Sequence, residues 1–293
     1  MRLHQSILVV GLLGAAGWFL TNYRIEGWEQ LRVVPRAARG ASVPQGMNDD
    51  LPVGPASASD KVRLATFNVQ VFGESKLANP RVVNLLAEVV RRFDIVALQE
   101  VRSQDDGFLG RFIQMVNLTG RHYDFVVGPR VGTAGHTEQY AFLFDRATIE
   151  VDRSAVYTVR DPEHLLHRPP LVASFRVRGP PPDDAFTFTL VDVHTSPDDA
   201  QRELDALADA IRAVRSDGRG EDDVIMLGDF NADDYHFGRL ATAADLRWVV
   251  SGVPTNTRGD AQYDNILFSR SATTEFAGRG GVLDLIREFN LSL

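Results

Sequence analysis

The chain has 293 residues, 44% of them hydrophobic and 24% charged, which is enough for one large globular domain or two small ones. A formal net charge of -8 excludes a bulk electrostatic binder of nucleic acid, although a divalent metal can still supply local positive charge for phosphate chemistry. Cysteine is absent, so disulfides and thiol chemistry are excluded and the redox compartment stays open.

The first element in chain order is "SILVVGLLGAAGWFL" (6–20), apolar throughout and preceded by Arg2 and His4. A short apolar run behind a basic start reads as a signal peptide or a short membrane anchor. It is somewhat short for a span of about 20 residues, yet Trp18 and Tyr23 suit a membrane interface. No small-x-small cleavage site directly follows Leu20, which favours an uncleaved anchor over a cleaved signal. A buried globular helix fits poorly, because the run has no polar face. Both export readings put the rest of the chain outside the cytoplasm, either membrane-anchored or secreted. Residues 1–32 are assigned to this segment and its flank. Residues 33–60 are rich in Pro, Gly, Ala and Ser without periodicity and read as a flexible linker. A folded domain is expected over 61–293, and there is no internal repeat.

Within that domain "VRLATFNVQ" (62–70) alternates as a strand does. "ANPRVVNLLAEVVRRF" follows as a helix, with Asn79 as cap, Pro80 at the first helical position, and Val82, Leu85, Leu86, Val89, Val90 and Phe93 as its apolar stripe. "DIVALQE" (94–100) is a short buried strand, "FLGRFIQMVNL" a second helix, and "YDFVVG" and "QYAFLFD" are strands around a loop at 129–138. "SAVYTVR" and "PLVASFRVR" are further strands, and "AFTFTLVDVHTS" is a strand ending at His194. "DDAQRELDALADAIRAVR" is a helix starting near Pro197 and Asp198, with Leu204, Leu207, Ile211 and Val214 at helical spacing. "DDVIMLGDFN" and "YDNILFS" (263–269) complete the strands. Strands outnumber helices and several follow one another directly. That pattern predicts strands packed in two layers with helices outside, rather than a simple βαβ sheet.

Polar residues recur at one kind of place, the C-terminal end of a buried strand. Asn68, Glu100, His194, Asp229 and Asn231 sit there, while Asp264 sits at the start of its strand. One such residue is a strand terminator, and "GDFNADD" alone fits a polar turn equally well. Five strands delivering Asn, Glu, His, Asp and Asp point to a single polar cleft. Hard oxygen ligands without Cys suit Mg²⁺ or Ca²⁺ rather than zinc. His194 supplies a group suited to proton transfer. Asn231 can donate to a phosphate oxygen as charge builds there. This set fits metal-assisted phosphodiester hydrolysis.

The motifs "FNVQVFGESK", "DIVALQEVRS", "EQYAFLFDR", "VDVHTSP", "VIMLGDFNADD" and "YDNILFS" occur in the order seen in the endonuclease/exonuclease/phosphatase superfamily, and the chain most resembles its deoxyribonuclease I branch over residues 62 to 290. The resemblance implies an α/β fold, a four-layer α-β-β-α sandwich of two mostly antiparallel sheets. It implies a hydrolase that uses Mg²⁺, with Mn²⁺ or Ca²⁺ as alternatives, and cleaves DNA as an endonuclease. By position, Asn68 and Glu100 match metal-site residues, and Glu138 matches the carboxylate that orients a catalytic histidine at His194. Asp229 and Asn231 match the pair that positions water and steadies the transition state. Asp264 matches the carboxylate that partners a second histidine, and Arg102 and Arg168 fall where arginines approach DNA. No obligate protein partner is implied; a membrane partner rests on the N-terminal segment.

Two departures stand out. The loop "PRVGTAGHTEQY" lacks the tyrosine that the nuclease branch stacks in the minor groove, and His136 is the nearby substitute. Family members also end in a Ser-Asp-His segment with a final strand, which "GGVLDLIREFNLSL" does not reach; the expectation is a truncated fragment or a crippled member. Two other functions stay open beside the nuclease: a phosphoesterase acting on a lipid or small phosphate ester, favoured by the membrane-proximal segment, and a non-catalytic binding module that kept the fold.

Overall fold

Strands that are apolar on both faces need cover on both faces, and two sheets packed together with helices outside supply it. The computed structural model describes residues 61–133, 135–243 and 245–291. The apolar segment 1–32 and the linker 33–60 lie outside the described residues. No helix among the described residues is long and apolar enough to cross a membrane.

The first sheet is built from β1 (Leu64–Phe72), β2 (Ile95–Val101), β3 (Tyr123–Val127) and β4 (Gln139–Asp145), in the order β1-β2-β4-β3. β1 and β2 are parallel and the other pairs antiparallel. A short helix α1 (Glu74–Leu77) and the longer α2 (Pro80–Val90) make the β1–β2 crossover, and α3 (Phe108–Asn117) joins β2 to β3. The second sheet holds β5 (Ile149–Thr158), β6 (Leu171–Val177), β7 (Thr187–His194), β8 (Val224–Asp229), β9 (Leu246–Trp248) and β10 (Asp264–Ser269), in the order β5-β6-β7-β8-β10-β9. Only β7 and β8 pair in parallel, joined by α4 (Ala200–Arg215). The short helices α5 (Arg239–Thr242) and α6 (Leu285–Glu288) complete the described elements.

Period-two side-chain alternation sorts each buried strand into two cores. On β2, Ile95 and Ala97 face the other sheet while Val96 and Leu98 face α2 and α3. On β8, Ile225 and Leu227 point between the sheets while Val224 and Met226 meet Leu204, Leu207 and Ile211 of α4. Aromatic rings close the inter-sheet layer: Phe142 and Phe175 meet edge to face at 5.5 Å between centroids. The result is the four-layer α-β-β-α sandwich.

Several local details differ from the sequence reading. In α2 the fully buried face is Val83, Leu86, Ala87, Val89 and Val90, with Val82, Leu85 and Phe93 only half-buried. Bulk drew the expected stripe toward the larger side chains, whereas small Ala87 is fully buried. Asn79 does cap this helix, accepting from the Arg81 and Val82 N–H groups, with Pro80 at the first position. β5 starts at Ile149 rather than 154: it is an edge strand, and Glu150, Asp152 and Arg153 break its apolar pattern. α4 starts at Ala200 with Asp199 as its flanking residue, two positions later than expected.

The close approach of β7 and β8 depends on one glycine. Gly228 has φ of 151° and pairs with Val193, and a Cβ there would lie 1.9 Å from the Val193 carbonyl oxygen. Gly228→Ala is therefore expected to cost about 3 kcal/mol or more of folding stability. Urea unfolding would check this; a midpoint equal to that of the parent would contradict the packing described.

Candidate active site

Strand register brings the polar residues to one edge. In the parallel β7–β8 pair His194 stands opposite Asp229, and in the antiparallel β8–β10 pair Asp264 stands opposite the same Asp229. An antiparallel neighbour starts where its partner ends, which is why Asp264 reaches the cluster from the start of its strand. β1 packs on β8 and β10, and β2 on β7 and β8, so Asn68 and Glu100 of the first sheet arrive at the same edge.

Asn68 ties the two sheets together. Its Nδ2 donates to Glu100 Oε1 at 3.1 Å and to Asp229 Oδ2 at 3.0 Å, and its Oδ1 accepts from the Gln70 N–H at 2.8 Å. Glu100 Oε2 accepts from the Val71 N–H at 2.8 Å and lies 3.1 Å from Arg102. Loss of solvent pushes the Glu100 carboxyl up, but the hydrogen bonds from Val71 and Asn68 and the charges of Arg102 and His194 outweigh it, and the group sits below its usual range.

His194 is buried, and its Nδ1 lies 2.8 Å from Glu138 Oε1. The contact with Glu138 orients the ring so that Nε2 faces Asp229 Oδ2 at 3.9 Å. Glu138 has no exposed surface. The Val131–Glu138 bridge that closes the 129–138 loop holds its backbone, and its other oxygen faces Arg168 at 3.3 Å and Arg102 at 3.8 Å. Asp229 Oδ1 accepts from the Asn231 N–H at 2.9 Å, and Asn231 Nδ2 donates to the Thr195 carbonyl at 2.8 Å. Asp264 is held by its backbone N–H on Thr255 Oγ1 at 3.0 Å. Loss of solvent around its carboxyl, reinforced by the negative charge of Asp229, raises it well above the ordinary carboxylate range.

All nine residues singled out in the sequence thus share one assembly: Asn68, Glu100, Arg102, Glu138, Arg168, His194, Asp229, Asn231 and Asp264. Arg102 and Arg168 lie inside it, paired with Glu100 and Glu138. His136 stays on the exposed part of the loop. Two contributors had no signal in the sequence reading. The Val71 N–H is a backbone group, and Lys76 donates its Nζ to the Val69 and Gln70 carbonyls. Gln70, Val71, Glu100 and Asn231 all adopt positive φ, between 45° and 61°, a conformation that costs non-glycine residues and gathers at working sites.

The donor set suits a hard cation. Glu100, Asp229, Asp264 and Asn68 offer only oxygen ligands, and a divalent ion would relieve the Asp229 charge that adds to the loss of solvent in raising Asp264. A second acidic trio, Glu221, Asp222 and Asp223, lies at the opposite end of β8 and takes no part in this cluster.

The family model for the Endonuclease/Exonuclease/phosphatase family matches residues 65–286. Deoxyribonuclease-1-like 2 of Homo sapiens is 30% identical over 239 residues, covering 72% of this chain and 79% of its own. Deoxyribonuclease-1 of Bos taurus is 29% identical over 223 residues, covering 72% and 78%. Among solved structures, the human Nocturnin catalytic domain with bound sulfate aligns with a TM-score of 0.52 at 16% identity, covering 71% of this chain and 83% of that one. A mannosyl-6-phosphatase of Bacteroides thetaiotaomicron aligns with a TM-score of 0.51 at 17% identity, covering 72% and 86%. These structures share the fold.

The Asp229–Asp264 pair has a pH signature. The folded Asp264 carboxyl holds its proton more tightly than in the unfolded chain, so its contribution to stability is complete below about pH 4 and is lost as the pH climbs toward neutrality. In EDTA the protein is expected to melt at a lower temperature at pH 8 than at pH 5, and Asp264→Asn should flatten that slope. Thermal unfolding of both proteins across this range is the check, and equal slopes would refute it.

Proposed function

Because the chain belongs to the Endonuclease/Exonuclease/phosphatase family, with deoxyribonuclease I-like relatives, we propose that it is a metal-dependent phosphodiester hydrolase that cleaves DNA as an endonuclease. The observation that carries this reading is the single row of His194, Asp229 and Asp264 across three strands, joined by Asn68 to Glu100 of the other sheet.

Each side chain has a task in the proposal. Glu100 and Asn68 hold the cation, with Mg²⁺ as the ion of choice and Mn²⁺ or Ca²⁺ as substitutes. The cation, once bound, neutralises charge on the phosphate and lowers the pKa of water. Glu138 fixes the tautomer and orientation of His194, leaving Nε2 to contact the scissile phosphate and move a proton. Asp229 orients the attacking water, Asn231 steadies the charge that builds on the phosphoryl oxygens, and Asp264 holds the place of the carboxylate that partners a second histidine. Arg102 and Arg168 approach the DNA backbone, contacting phosphate rather than reading bases. Residues 61–293 form the catalytic domain, behind an N-terminal export or anchor segment (1–32) and a linker (33–60), so the enzyme acts outside the cytoplasm.

Plasmid nicking in the presence of Mg²⁺, abolished by EDTA, is the direct test. His194→Ala and Asp229→Ala are each expected to cut the rate at least about 10²-fold. A fall of less than tenfold for both would sink the site assignment. Hydrolysis of sphingomyelin or an inositol phosphate in place of DNA would move the reading to a phosphoesterase, and metal-independent DNA binding without turnover to a binding module.

A further inference from the structure

Past Asn231 the active site opens into a cleft of about 550 Å³, bounded by the loop after β8, the start of α4, and the chain at 252–254 and 260–263. Six large apolar side chains are exposed among the described residues, and three of them line this cleft: Tyr235 at 82%, Val253 at 47% and Tyr263 at 38%. Such a concentration beside a polar catalytic edge marks a contact surface rather than scattered exposure. The backbone that carries both rings is tied to the site. The Tyr263 carbonyl accepts from the Phe230 N–H at 2.8 Å, and Tyr263 immediately precedes Asp264. The Tyr235 N–H is held by Asp233 Oδ1 at 3.0 Å.

The charge of the cleft says which part of a substrate it takes. Its lining has no lysine or arginine and contains Asp233, Asp234 and Asp260. Each of these acids is engaged locally: Asp233 with His236, Asp234 with Ser251 and the Gly252 N–H, and Asp260 with Asn256. An acidic wall repels a phosphate backbone, so the cleft does not track the strand. It suits an uncharged, flat group with hydrogen-bonding edges, attached to a phosphate that stays at Asn231 and His194. A nucleobase has those properties, and stacking on tyrosine faces is indifferent to its identity.

We propose that this cleft is a nucleobase subsite, in which Tyr235 and Tyr263 stack the base of the nucleotide adjoining the scissile phosphate. The proposal rests on the reading of the site as a DNA phosphodiesterase and specifies its substrate further. A base stacked in a duplex must leave its stack to enter the cleft, so the enzyme cleaves unpaired strands faster than duplex.

Binding measured in Mg²⁺ on the His194→Ala protein avoids turnover. Fluorescence anisotropy would compare a labelled octathymidylate with an all-abasic strand of the same length, which keeps the phosphates and removes the bases. The octathymidylate is expected to bind about tenfold tighter, and Tyr235→Ala should erase that difference while leaving the abasic strand unchanged. Tyr235→Phe should retain the preference, which separates ring stacking from a general loss of structure. Tyr235→Ala weakening both strands equally, or neither, would overturn the subsite while leaving the nuclease reading standing. A wild-type protein that binds and cleaves no nucleic acid yet hydrolyses a small phosphate ester would overturn both.

Discussion

The site depends on register. β7, β8 and β10 line up so that His194, Asp229 and Asp264 form one cross-strand row, and a slip of one residue in any of the three would turn its side chain to the wrong face. The row concentrates negative charge, and the neutralising groups are unevenly placed. Arg102 and Arg168 pair with Glu100 and Glu138. Among the described residues no lysine or arginine pairs with Asp229 or Asp264; His194 Nε2 at 3.9 Å is the nearest cationic candidate for Asp229. The deficit of positive charge lies where Asn68 bridges the sheets, which is where the proposed divalent ion would sit.

A second constraint runs through the backbone. The pairing of β1 with β2 is interrupted between Asn68 and Phe72, and within that interruption Gln70 and Val71 take positive φ. The conformation is especially unfavourable for a β-branched valine, at a cost of order 1–3 kcal/mol per residue. The bonds that hold it serve the site directly. Lys76 takes the Val69 and Gln70 carbonyls, and the freed Val71 N–H turns to Glu100. Glu100 is itself left-handed at φ 61°, so the side chain that binds the metal in the proposed mechanism is aimed by strain on both strands.

The layer architecture was legible because "VIMLGD", "TLVDVH" and "IVALQE" are apolar on both faces, and each ends in a group that would be misplaced in a core. The convergence of those ends was legible too, since a polar residue at the tip of one buried strand is punctuation and the same feature on five is a site. Weakly patterned elements were not legible. β9 has three residues at a sheet edge, and α1, α5 and α6 have four each, too few for a helical period to show. β5 carries charge on its open face and read as shorter than it is. Lys76 gave no sign of its role because its partners are carbonyls, and carbonyls are the same in every sequence. The pairing of Arg168 with Glu138 joins distant loops and has no local pattern.

Asp192 shows how the sheets are tied beneath this charge. It lies on the same face of β7 as His194, has no exposed surface, and reads in sequence as a polar interruption of an apolar strand. Gln99 of β2 meets its Oδ1 at 2.5 Å and Thr66 of β1 at 3.0 Å, so the polar contacts cross from one sheet to the other inside the core. Burial raises the Asp192 carboxyl well above its ordinary range; the Gln99 contact opposes this, and the charge on nearby Glu138 adds to it. The Asp192 carboxyl lies behind Glu138, whose charge is one cause of its rise. It also gives β2 and β7 a hydrogen-bonded fixed point that an apolar pair could not provide. With Gln99 and Asp192 joining β2 to β7, and Asn68 joining β1 to β8, two polar ties cross between the sheets.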